Sequence, residues 1–234
     1  MSSWSLLLPR DIRNHISSYL NQNNKYYPVI NYKKYLIKYI AEMNDTDKEL
    51  KQLGNLQILY SCRCRNFTDI GLSYLTNLQV LDCGWYTTNF TDKGLSYLIN
   101  LQILNCEFNT NFTDDGLKQL TNLQILECGL YTKFTDKGLG YLTNLQVLNC
   151  ICNTKFTDSG LEQLTNLQVL YCGKNINFTN KGLSYLINLK ELYCEYNDNF
   201  TDNGLSYLIN LKELYCGYNK NFTYEGIKTL QMMD

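Results

Sequence analysis

From residue 44 onward the apolar positions return in one fixed phrase. In the unit containing Leu98, Leu101, Leu104 and Cys106 they lie three, three and two residues apart, and Asn109 closes the phrase. In "LQILNCE" the side chains alternate. Leu104 and Cys106 fall on one side, and Ile103, Asn105 and Glu107 on the other, as a short strand requires. In "NFTDKGLSYL" the pattern changes. Thr91 or Asp92 can cap a helix N-terminus, and Leu95 and Leu98, three apart, share a helical face. Each unit therefore predicts a short strand, a turn and a short helix.

The phenylalanines set the period. Phe67, Phe90, Phe112, Phe134, Phe156, Phe178, Phe200 and Phe222 are separated by 23 residues once and by 22 thereafter. The extra residue falls in "CGWYTTNF", where a loop can absorb it. A fainter copy, "NDTDKELKQLGNLQILY", begins at Asn44. Gly94 also recurs in every later unit, as at Gly116, Gly138 and Gly160. A helix former has the better propensity there, so a side chain at this position is expected to collide with the neighbouring turn. Self-similarity at this period means stacked units, each covering apolar faces that its neighbour cannot cover alone.

The phrase L-x-x-L-x-x-L-x-C-x-x-(N/Y) resembles the leucine-rich repeat, with cysteine in one leucine slot. The "F-T-D-x-G-L" half resembles the convex segment of the cysteine-containing subfamily. The resemblance covers residues 44–234 and implies an α/β repeat solenoid of about eight repeats of 22 residues. The implied shape is a horseshoe with a parallel concave sheet and short convex helices. Asn109, Asn153, Asn175, Asn197 and Asn219 occupy the closing slot, where a buried amide can satisfy the backbone of the turn. Tyr86, Tyr131 and Cys64 replace it in three units.

Residues 1–43 do not repeat. In "LLLPRDIRNHISSYL", Leu8, Pro9, Ile12, Ile16, Tyr19 and Leu20 resemble the first helix of an F-box. A second helix is expected in "NYKKYLIKYIAEM", with Tyr32, Tyr35, Leu36, Tyr39, Ile40 and Met43 on one face. The later V-C-K/R-x-W-like segment of an F-box is absent. The bare residues fit an F-box remnant or a helical cap over the first repeat, which solenoids need.

Charge narrows the function. A net charge of −1 gives no electrostatic footprint for nucleic acid, and no apolar run approaches a membrane span. The short N-terminal apolar run has no basic residue before it and is followed by "PRD". The expectation is no signal peptide, and a cytoplasmic or nuclear protein. The Asn-, Lys-, Ile- and Tyr-rich wording resembles repeat families of giant DNA viruses or their protist hosts, which would make that cytoplasm a host cell's.

Seven of the ten cysteines fall one per repeat, at Cys83, Cys106, Cys128, Cys150, Cys172, Cys194 and Cys216. Inside "L-x-C" they read as a column of buried thiols. Cys62/Cys64 and Cys150/Cys152 have no histidine or second pair to complete a metal site. The six N-F-T sequons belong to the repeat consensus. His15 is the only histidine, and neither a phosphate-binding loop nor a nucleophile motif is present, so neither catalysis nor a cofactor is expected.

What remains is binding, and solenoids bind on the concave sheet. Register assigns one concave column to Tyr60, Asp82, Asn105, Glu127, Asn149, Tyr171, Tyr193 and Tyr215. A flanking column holds Ile58 to Val169, then Glu191 and Glu213. A third includes Glu107, Gly129 and Glu195. At the rim lie Trp85, Phe108, Tyr196 and Tyr218. Tyr171, Tyr193 and Tyr215, with Glu191, Glu195 and Glu213, are expected to line a solvent-facing strip for a basic protein or peptide. Plain duplication of "NLKELYCEYN" into "NLKELYCGYN" explains the same residues without a ligand. Resemblance to F-box/leucine-rich-repeat proteins implies a substrate-recruiting adaptor. Its F-box would dock on the adaptor subunit of a cullin–RING ubiquitin ligase. The alternative is a stand-alone binding or sequestering protein.

Overall fold

In the computed structural model, residues 38–41, 44–61, 64–84 and 89–231 are described. The F-box-like residues Leu8, Pro9, Ile12, Ile16, Tyr19 and Leu20, and Trp85 and Tyr86, lie outside them. Within the described residues a single parallel sheet of nine strands runs in strict chain order. The strands are β1 Lys38–Ile40, β2 Ile58–Tyr60, β3 Val80–Asp82, β4 Ile103–Asn105 and β5 Ile125–Glu127. They continue with β6 Val147–Asn149, β7 Val169–Tyr171, β8 Glu191–Tyr193 and β9 Glu213–Tyr215. The register matches the sequence columns: Ile103 pairs with Ile125, and Tyr171 with Tyr193. One expectation fails. Lys38–Ile40, assigned by pattern to a helix, form β1 and pair in parallel with β2. A free strand edge at β2 offers this segment backbone partners. Ala41 N–H reaches the Tyr60 carbonyl at 2.8 Å.

Behind the sheet, short helices follow each strand, among them α1 Asp47–Leu50, α5 Asp136–Leu139 and α6 Asp158–Leu161. Between the layers, Phe67, Phe90, Phe112, Phe134, Phe156, Phe178 and Phe200 are fully buried with the leucine and cysteine columns. The thiol column is real: Cys83, Cys106, Cys128, Cys150, Cys172 and Cys194 are buried, whereas Cys152 and Cys216 are half-exposed. Burial pushes the Cys106 and Cys128 thiols well up from their ordinary range.

One joint links each unit to the next. Asp136 Oδ1 accepts the Thr157 N–H at 2.8 Å, and its Oδ2 accepts the Thr157 hydroxyl at 2.6 Å. Thr157 in turn caps α6, accepting from the Ser159 N–H. The carboxylate so placed explains the glycine column. A Cβ on Gly160 would sit 2.5 Å from Asp136 Oδ1 and 3.0 Å from Leu139 Cδ1. The collision is therefore with the preceding helix's aspartate and leucine.

The buried amides behave as the pattern required. Asn153 Oδ1 accepts the Lys155 and Phe156 N–H groups at 2.8 and 3.3 Å. Asn197 Nδ2 donates to the Asn175 carbonyl at 2.7 Å, tying one turn to the preceding one. The unit of Cys128 departs from expectation. Tyr131 is exposed at positive φ, and Thr132 takes the buried place, its hydroxyl donating to the Cys128 carbonyl at 2.6 Å. A tyrosine is too large for that slot, so the turn shifts by one residue.

Asp136→Ala should cost about 1–3 kcal/mol, the range for losing hydrogen bonds to a charged group. Asp136→Asn should cost clearly less, because Asn180 already occupies the equivalent place. Its Oδ1 accepts the Thr201 N–H at 2.9 Å and its Nδ2 donates to the Thr201 hydroxyl at 2.8 Å. Denaturant titration of the two variants checks this. In thiol labelling of the native protein, Cys152 and Cys216 should react first among the described cysteines. Cys106 and Cys150 should react only after denaturation; mass spectrometry of timed samples gives the order.

Candidate concave binding face

The concave columns do not form one uniform surface. At the centre they close over. Ile103, Asn105, Glu107, Glu127 and Asn149 point away from the core yet are almost fully buried. Glycines in the third column let neighbouring side chains lean across. Asn105 Oδ1 lies 2.8 Å from where a Gly84 Cβ would be, and Glu107 Oε1 lies 3.2 Å from that of Gly129. Toward the C-terminal end the face opens, and Glu213 and Tyr215 are exposed.

The three predicted tyrosines do come together. The rings of Tyr171 and Tyr193 are stacked with centroids 4.2 Å apart, and those of Tyr193 and Tyr215 are 4.4 Å apart at 5°. Parallel pairing at strand spacing brings the rings into face contact. The Tyr193 and Tyr215 hydroxyls donate to the Glu191 and Glu213 carboxylates at 3.2 and 3.3 Å. The expectation of a fully solvent-facing strip needs correction. Tyr171 is only 3% exposed and Tyr193 half-buried, so only Tyr215 stands open, at 44%. Each ring is covered by the next one along the sheet. Burial raises the Tyr171 and Tyr193 hydroxyls, and burial together with nearby Glu213 raises the Glu191 carboxyl. Glu195 is half-exposed.

A second ladder runs along the rim. Tyr196 and Tyr218 stack at 4.5 Å and 9°, and Lys174 Nζ lies 5.4 Å from the Tyr196 ring centroid. Phe108 and Tyr131 meet at 5.6 Å with tilted rings. Phe108, Tyr131, Cys152, Lys174, Tyr196 and Tyr218 all have φ between 59° and 66°. Such a backbone costs an L-residue with a side chain roughly 1–2 kcal/mol, which glycine would avoid. The chain keeps large side chains there, and four of these six are aromatic. Sequence reading placed Phe108, Tyr196 and Tyr218 at the rim but not in this conformation. The signal available was the position directly before the turn asparagine, aromatic at Phe108, Tyr196 and Tyr218.

A groove of about 1330 Å³ lies elsewhere, between asparagine and glutamine columns such as Asn144 and Gln146. Its asparagines are structural: Asn144 Nδ2 donates to the Thr121 carbonyl at 2.9 Å, and Asn166 Nδ2 to that of Thr143 at 3.0 Å. The groove is therefore the ordinary trough between two repeating hydrogen-bonded columns. The tyrosine tract, with its exposed ring and carboxylates, carries the more specific chemistry.

No protein-family model matches the chain, and no curated protein matches it in sequence. Solved structures do match. The internalin InlF from Listeria monocytogenes superposes with a TM-score of 0.64 at 22% identity, over 98% of this chain and 75% of that one. Internalin C2 from the same bacterium gives 0.59 at 27% identity over 80% of each chain. A chain of the yeast Rad7 and Elc1 complex gives 0.56 at 15% identity, over 82% of this chain and 65% of that one. The protein has the leucine-rich-repeat fold, an open solenoid with a parallel concave sheet and short convex helices.

Because Tyr193 is stacked on both sides, Tyr193→Ala should cost about 1–3 kcal/mol of stability, from two aromatic pairs and lost burial. Tyr193→Phe keeps the stacks and should cost less than half as much. Thermal and denaturant unfolding of both variants provides the comparison.

Proposed function

We propose that the protein is a protein-binding module that holds an extended segment of a partner along the C-terminal half of its concave sheet. The observation that carries this reading is the continuous tract of Tyr171, Tyr193 and Tyr215, with Glu191, Glu213 and Glu195 beside it and the Tyr196–Tyr218 ladder at its rim. Since the ring faces are spent on one another, the partner meets ring edges, hydroxyls and carboxylates, plus the open face of Tyr215. Such a surface selects hydrogen-bond donors and basic side chains. Aromatic residues held rigidly also lose little entropy on binding.

The biological role we infer is that of a substrate-recruiting adaptor acting in the cytoplasm or nucleus, a host cell's if the chain is viral. Support comes from the F-box-like residues Leu8, Pro9, Ile12, Ile16, Tyr19 and Leu20. It comes also from the likeness in fold to a chain of the Rad7 and Elc1 complex. In this reading the N-terminal segment engages the F-box-binding adaptor subunit of a cullin–RING ligase, and the solenoid supplies specificity.

A pull-down with that adaptor subunit tests the role. The full chain should retain it, and an Ile12→Asp/Ile16→Asp variant should lose it while keeping the concave-face partner. If the unaltered chain retains no adaptor subunit, the ligase link falls, and a binding protein acting without a ligase takes its place. If Tyr215→Ala leaves affinity for the captured partner unchanged, the tyrosine tract is not the binding surface.

A further inference from the structure

One carboxyl group in the middle of the concave sheet is out of place energetically. Glu127, on β5, is only 5% exposed. Its neighbours in register are Asn105 on β4 and Asn149 on β6, both neutral. Those two amides are turned to their own backbones: Asn105 Oδ1 accepts the Glu107 N–H, and Asn149 Oδ1 the Ile151 N–H, each at 3.2 Å. Among the described residues no hydrogen bond or ion pair reaches the Glu127 carboxyl. Desolvation, followed by the charges of Glu107 and Asp82, holds its proton on well above the ordinary glutamate range. Among the described residues, the charged or titrating groups that act on it are Asp82 on β3, Glu107 after β4 and Tyr171 on β7.

A carboxyl this deeply buried keeps only slight access to water and is costly to ionise. Here it lies on the partner-facing side of the sheet, not among the leucines. Glu107 leans across the gap left by Gly129, so a second carboxylate comes to the same place. We propose that the centre of the concave face is a socket for one basic side chain, a lysine or arginine presented by the protein partner. Glu127 is its buried counter-charge, and Glu107 and Asp82 supply the surrounding negative field. An arginine or lysine entering here brings the donors that Glu127 lacks, in a site dry enough to make the pair strong. The proposal rests on the concave face being the partner surface. It adds a specific anchor at its centre, upstream of the tyrosine tract.

Binding then has a proton signature. In the free protein burial holds the Glu127 carboxyl above the ordinary glutamate range, and a cation beside it favours the carboxylate. Binding should therefore release a proton. The test uses the full chain and a fluorescently labelled oligo-arginine peptide at low ionic strength, read by anisotropy. Glu127→Gln and, separately, Glu107→Gln should each weaken binding about tenfold or more, as expected for a buried charge pair. Charge-matched variants at exposed Glu162 and Glu225, Glu162→Gln and Glu225→Gln, should change it by less than about twofold. Calorimetry in two buffers of different ionisation heat should show proton release for the unaltered protein and none for Glu127→Gln. Failure of the unaltered chain to bind the peptide overturns the proposal. So does equal weakening by all four variants, which would mean attraction by net charge alone, or proton release that survives Glu127→Gln. None of these outcomes touches the tyrosine tract, whose own test is the Tyr215→Ala variant.

Discussion

The structure depends on one joint: an aspartate of one unit accepting both the backbone N–H and the hydroxyl of the next unit's threonine. It recurs from Asp47 and Thr68 to Asp202 and Thr223, with Asn180 as the single amide version. Because the threonine also opens the following helix, the joint sets where each helix starts. Because the carboxylate fills the space beside the next glycine, it fixes how closely the convex turns approach. The buried asparagines do similar work at the other end of the strands, binding the turn that follows and, at Asn197, the turn before. With these ties repeated along the array, parallel pairing in a constant register follows, and seven phenylalanines are buried in one core.

That constancy has consequences on the concave side. A constant register makes every column a stack of residues at strand spacing, so like meets like. For tyrosine this is favourable, and the rings of Tyr171, Tyr193 and Tyr215 close into a ladder. For carboxylates it is unfavourable, and Glu191 is held up by its own burial and by Glu213. A glutamate whose folded carboxyl is raised favours folding while protonated. Its contribution therefore falls as pH rises above the ordinary glutamate range, until the folded carboxyl also ionises. The sheet keeps these groups at that cost, which fits a surface shaped for a partner more than one shaped for stability alone.

Much of this was legible in the sequence. The period of Phe67 to Phe222, the inward alternation of Leu104 and Cys106, and the amide role of Asn153 all came from spacing and residue chemistry. Each matches the structure. The glycine column was read as a place where a side chain would collide, and that is correct. The colliding atoms, from Asp136 and Leu139 beside Gly160, lie 21 to 24 residues away and could not be named from one unit. β1 was missed because Tyr35, Leu36, Tyr39 and Ile40 also suit a helical face, and a three-residue strand exists only because β2 offers it an edge. The Cys128 unit was misjudged because a one-residue turn shift leaves the repeat length unchanged. Only the exposure of Tyr131 and the burial of Thr132 reveal it.

The candidate site divides the same way. Sequence determined which residues share a column, since that depends only on the repeat length and the two-residue period of a strand. Tertiary structure decided which of them a partner can reach. The small third-column glycines let Asn105 and Glu107 fold over their neighbours. The ladder hides Tyr171, and Glu127 is left only slightly exposed. It also decided the backbone of the rim, where Tyr196 and Tyr218 adopt positive φ and stack. Column membership is a one-dimensional property of the chain. Exposure and electrostatic environment are set by side chains from adjacent units meeting in space, and so they appear only when the units are stacked.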